Sequence, residues 1–196
     1  ELTMNSTEGC AGMNFSNKLL HGLNNLKVLR LHNCVRYLEP DIFQRTPDIE
    51  TLDLSENQNL NIETVSRALR YALNKLRYLD ISRIQLNEQM HLGTEFTESI
   101  RTKPLEVLNV SDTKLVNFDK DFNFSSIKVL NVRRVVLQWI PPHMGYEWFP
   151  NVRELDISYS TVPFIEFHPL NVSITCGKRM ISLRYLYAHN IFFSQT

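Results

Sequence analysis

LRYLDIS at residues 76–82 and VRELDIS at residues 152–158 are nearly the same seven letters, and looser copies surround them. They are LKVLRLH from Leu26, IETLDLS from Ile49, LEVLNVS from Leu105, IKVLNVR from Ile127 and LRYLYAH from Leu183. Counted from the first apolar residue, the units start at 26, 49, 76, 105, 127, 152 and 183, in steps of 23, 27, 29, 22, 25 and 31. Each is apolar at positions one, four and six and small or apolar at nine. Positions four and six alternate with free positions three, five and seven, the period of a strand with one buried face. Further inward residues follow the strand, as in Leu38, Ile42 and Phe43 or Leu115, Phe118 and Phe122. One such coil has no means of covering its own apolar edge. Coils stacked about 4.8 Å apart cover one another, so Leu29, Leu52, Leu79, Leu108, Leu130 and Leu155 are expected to line up under one parallel sheet.

This recurrent LxxLxL core resembles the leucine-rich repeat family over essentially the whole chain. The resemblance implies an α/β solenoid: an arc with a parallel β-sheet on its concave face and irregular loops or short helices on its convex side. Residues 1–196 would form one array of about seven to eight units. The chain departs from the family at position nine, where an Asn usually bonds along the turns. That place holds Cys34, Asn57, Ile84, Thr113, Val135, Ser160 and Ile191. Hydroxyls, backbone bonds or simple packing must replace most of the amide ladder, and the arc should be irregular. Leu2 and Met4 fall on positions four and six of a unit whose start is missing, and Leu183 to Thr196 is a unit without its tail. With no cysteine-clustered cap at either end, the chain is expected to be a piece of a longer array.

Composition is that of a folded protein, with 43% hydrophobic and 21% charged residues. The 21 basic and 21 acidic residues cancel, so nothing indicates nucleic-acid binding. No run of about 18 apolar residues is present, and the polar start ELTMNSTEG is unlike a secretory signal. Any span or signal would belong to the parent protein outside this chain.

Five glycosylation sequons begin at Asn5, Asn14, Asn109, Asn123 and Asn171, which points to a secretory history. The tails at Leu38–Phe43 and at Trp139, Ile140 and Pro141 resemble the extracellular subclass of these repeats, and the unequal units resemble Toll-like receptor ectodomains. That resemblance implies a ligand-recognition segment of an innate-immune receptor on the extracellular or lumenal side of a membrane. A microbial or endogenous ligand of unstated class would bring two receptor copies together, and a signalling domain and single membrane span would lie elsewhere in the parent. A cell-surface or matrix adhesion module and a cytosolic scaffold remain the alternatives.

Position five, on the open face of the sheet, carries Arg30, Asp53, Asp80, Asn109, Asn131, Asp156 and Tyr187, expected to be mainly a solvated surface. A sugar on Asn109 would obstruct the middle of that face. The lateral edge after each strand has no sequon in a complete unit. It carries Lys114, Val136 and Trp139, with Arg133 and Arg134 at the strand end, the residue types that anchor protein interfaces. This edge is the candidate partner-binding surface.

No catalytic constellation is legible, and neither an enzyme nor a cofactor is expected. The six histidines lack metal-clip spacing, and His32 and His189 lie six coils apart in one column, about 29 Å at strand spacing. Cys34, at position nine, is expected to be an inert buried thiol. Cys10 and Cys176, near opposite ends, are expected to be free or paired outside the chain.

Overall fold

The computed structural model describes residues 1–5, 12–84, 94–113, 115–116, 125–137, 150–163 and 182–194. In chain order its elements are β1 (Leu2–Asn5), β2 (Met13–Phe15), β3 (Val28–His32), β4 (Val35–Leu38), β5 (Thr51–Asp53) and α1 (Ile62–Leu69). They continue with β6 (Tyr78–Asp80), α2 (Thr94–Ile100), β7 (Val107–Asn109), β8 (Leu115–Val116), β9 (Val129–Asn131) and β10 (Val136–Leu137). The last four are β11 (Glu154–Asp156), β12 (Thr161–Pro163), β13 (Tyr185–Tyr187) and β14 (Phe192–Ser194).

Eight strands make one parallel sheet in the order β1-β3-β5-β6-β7-β9-β11-β13. Position four pairs with position four throughout: Leu29 with Leu52, then Leu79, Leu108, Leu130, Leu155 and Leu186. Leu2 and Met4 pair with Leu29 and Leu31, so the repeat frame extends back to the first strand. Three kinds of backbone hydrogen bond join neighbouring coils. Thr51 donates back to the Lys27 carbonyl, while Leu54 and Glu56 donate forward to Asp80 and Ser82, and later coils repeat the scheme. Inside the column Leu29, Leu52, Leu79 and Leu108 are fully buried, each worth roughly 1.5–3 kcal/mol of apolar transfer. At the last strand Leu186 is 50% exposed, for want of a following coil among the described residues.

A second parallel sheet, of order β14-β12-β10-β8, runs beside the first, and β2 pairs with β4. It arises just beyond position nine, where Val136 pairs with Leu115 on one side and Thr161 on the other. The units of 27 and 29 residues use their extra length for helices. Asn61 caps α1 by accepting from the Glu63 amide at 2.8 Å, and Ile62, Val65, Ala68 and Leu69 are buried. α1 packs against α2, which buries Phe96 and Ile100.

Of the expected α/β arc, the described residues show a parallel β-solenoid that is poor in helix. Strand pairing repeats at every coil, whereas the helices among the described residues are two, of eight and seven residues.

Position nine works as expected from its mixed chemistry. Buried Asn57 accepts from the Cys34 and Val35 amides at 2.6 Å each and donates to the carbonyls of Leu31 and Leu54 at 2.6 and 2.7 Å. Thr113 donates to the Val110 carbonyl, and Ser160 donates to Val132 and accepts from Val135.

Cys34 corrects another expectation, because it is disulfide-bonded and not a free thiol. The chain has three cysteines, so its partner within the chain is Cys10 or Cys176, and one of those is not free either. The start of the chain returns to the edge of the second coil, where β2 pairs with β4. The Met13 amide donates to the Cys34 carbonyl at 2.9 Å, which brings the segment next to Cys10 alongside position nine. Cys10 and Cys176 themselves lie outside the described residues.

Candidate functional site

The edge surface is built by a recurring turn, closed by an Asp or Asn side chain in five of its seven copies. The side chain at position five accepts from the amide of position seven: Asp53 from Ser55, Asp80 from Ser82, Asn109 from Ser111, Asn131 from Arg133 and Asp156 from Ser158, at 2.9–3.1 Å. Short Asp and Asn side chains bond their own backbone two residues on, so they end the strand at a fixed place. Position eight then adopts positive φ in all seven copies: Asn33, Glu56, Arg83, Asp112, Arg134, Tyr159 and Asn190, with φ from 47° to 64°. This region is costly for bulky L-residues, and the flanking backbone bonds to the next coil hold it.

The position-five column is therefore turn scaffold more than solvated surface, and Asp53 and Asp80 are buried. Asp80 also accepts from the Tyr78 hydroxyl at 3.3 Å and from Asn109 Nδ2 at 2.8 Å. Burial, reinforced by the Asp80 and Asp53 carboxylates, pushes the Tyr78 hydroxyl up to about 12. At the neighbouring coil His32 Nδ1 meets Ser55 Oγ at 2.8 Å, with Nε2 3.5 Å from Asp53.

Of the sequon asparagines, Asn14 is exposed on β2, Asn5 is half-buried on β1, and Asn109 is half-buried with its amide nitrogen on Asp80. Asn123 and Asn171 lie outside the described residues.

Position-eight side chains form a ladder along the edge at one strand spacing. Glu56 pairs with Arg83 at 2.7 Å, Arg83 with Asp112 at 3.5 Å, and Asp112 with Arg134 at 3.2 Å. The Arg134 guanidinium then lies 5.4 Å from the Tyr159 ring centre, and that of Arg133 lies at 5.0 Å. These pairs are half-exposed, so each adds little stability. Their alternation fixes side-chain direction along the edge and leaves no stripe of one sign.

The structure brings Arg133 and Arg134 together on the Tyr159 ring, and exposed Val136 begins β10 two residues on, so three of the five residues expected to bind a partner are described. Lys114 and Trp139 lie outside the described residues. Tyr159 belongs to the same patch and was not expected there. Its place at position eight of the following unit, directly beside Arg134, was the signal available.

Two features lie apart from the edge. Phe43, Tyr71, Leu73, Asp48 and Lys75 line an open cavity of about 300 Å³, with Lys75 bonded to Asp48 at 2.6 Å. Lys103 is buried, donates to the Ala72 carbonyl at 2.5 Å, and is lowered by burial to about 8. Among the described residues no group of three His, Cys, Asp or Glu side chains is placed to hold a metal ion, and no helix is long and apolar enough to cross a membrane.

The class that these observations define is a parallel β-solenoid repeat protein with a built lateral edge. Comparison of the chain with known protein families and with curated proteins gave no match.

Proposed function

We propose that this chain is a leucine-rich repeat segment of a Toll-like recognition receptor, displayed on the extracellular or lumenal side of a membrane, which engages a ligand or a second receptor copy through its lateral edge. The observation that carries the reading is the edge itself, where an exposed cation and aromatic patch stands on a rigid, register-locked coil stack. Such stacks present long surfaces without needing a deep pocket, and large aromatic and Arg side chains anchor protein contacts there. The Cys34 disulfide supports passage through an oxidising compartment, because disulfides seldom persist in the cytosol. The five sequons agree with that route.

The test is secretion from a eukaryotic host followed by intact-mass measurement before and after glycosidase treatment, without reductant. Sugar on at least Asn14 and an intact Cys34 disulfide are expected. Unmodified sequons together with an unpaired Cys34 thiol that takes an alkylating reagent without reduction would remove the receptor reading in favour of an intracellular scaffold.

A further inference from the structure

On the inner coils position seven is Ser55, Ser82, Ser111 and Ser158, and Arg133 interrupts that run. Its guanidinium lies on the Tyr159 ring at 5.0 Å from the centre, while its Nε is closed off from water and has no acceptor. Arg134 is neutralised by Asp112, and Arg83 by Glu56 and Asp112. Arg133 makes no ion pair among the described residues.

A guanidinium with a desolvated, unpaired Nε has fewer hydrogen bonds than it had in water, and the aromatic face holds its plane in one orientation. Its Nη pair is the part left to be completed from outside. A carboxylate fits that end with two parallel hydrogen bonds, a match that a single ammonium does not offer.

We propose that this patch binds an acidic segment of a protein partner, with a Glu or Asp carboxylate on the Arg133 Nη pair and an adjoining apolar side chain against Tyr159 and Val136. Polyanions are disfavoured as occupants, because a nucleic acid or sulfated glycan needs several open cations in a row. Here the neighbouring arginines are already paired with acids. An apolar neighbour to the carboxylate is called for by Tyr159, 39% exposed beside the cation, and by Val136, 44% exposed three residues along the chain. The inference rests on the lateral-edge reading above and supplies the chemistry of what docks there.

The experiment is an NMR titration of the complete 196-residue chain, following the Arg133 Nε–Hε and Tyr159 ring signals. The probes are acetyl-Glu-Phe-amide, acetyl-Gln-Phe-amide and a short heparin oligosaccharide. Saturable shifts with the Glu probe only are expected, weakened roughly tenfold by Arg133→Lys and lost in Arg133→Gln. Arg134→Gln should weaken them far less. Should Arg133→Gln fail to fold, Arg133→Lys still decides, since an unchanged affinity there would contradict the fork geometry. Equal shifts with the Gln probe, or tighter saturation by heparin, would overturn the proposal. Glycosylated sequons with no Glu-dependent shift would sink this site and spare the receptor reading; the reverse pairing of results would do the opposite.

Discussion

Asn57 shows how much one buried amide does where a repeat has mostly given up its polar ladder. It satisfies two amides and two carbonyls drawn from two coils, all at 2.6–2.7 Å. Truncation to Ala strands the Cys34 and Val35 amides in the core, so Asn57→Ala is expected to cost about 2–4 kcal/mol in urea unfolding. Lys103 acts in the other direction. Its folded value of about 8 lies below the ordinary 10.5, so between those pH values the unfolded chain holds a proton that the folded chain has shed. Its contribution therefore makes stability rise with pH from about 8 to 10.5, and the whole penalty is present below 8. Lys103→Met should raise stability at pH 7 by roughly 1–3 kcal/mol and remove that rise, as urea midpoints across the window would show. Tyr78 gives the opposite slope higher up. Raised to about 12 from 10.0, it keeps its proton longest in the folded state, so stability falls as pH climbs from 10 to 12, and Tyr78→Phe should flatten that fall.

At the scale of elements, legibility followed periodicity. β3, β5, β6, β7, β9, β11 and β13 stand where apolar positions four and six alternate with open ones, and Leu2 and Met4 gave β1 by the same frame. The second sheet was hidden, because β8 and β10 are two residues long and too short to show any alternation. The recurrent left-handed turn was hidden as well. Position eight carries Asn, Glu, Arg, Asp, Arg, Tyr and Asn, with no glycine to mark positive φ; in five copies an Asp or Asn three residues earlier supports it, and in six its amide bonds to the next coil. Arg133 and Arg134 were legible as neighbours at a strand end, while Tyr159 emerged only once register placed it beside them. The Cys34 disulfide was hidden as well, because no spacing among the three cysteines marks a pair. For α1, the Asn61 cap is the local determinant. Asn61→Ala is expected to cost about 1 kcal/mol and to speed amide exchange in the first turn of the helix.

For the whole molecule, stability should behave as a sum over neighbouring coils, since each coil meets chiefly the ones before and after it. Leu108 is covered by Leu79 on one side and Leu130 on the other. Leu108→Ala should therefore cost about 2–5 kcal/mol, measurable in denaturant curves. The arrangement also accounts for the form of the candidate site. A stack that spends its apolar residues on inter-coil contact leaves function to side chains at the coil edges, and those side chains are spaced by the strands beneath them.

The most direct test of the in-register stack is measurement of through-hydrogen-bond scalar couplings in the deuterated protein. Couplings are expected from the amide of Leu54 to the carbonyl of Asp80, Ile81 to Asn109, Val110 to Asn131, and Val132 to Asp156. Couplings from those amides to carbonyls of any other register, or their absence with rapid solvent exchange at all four, would contradict it.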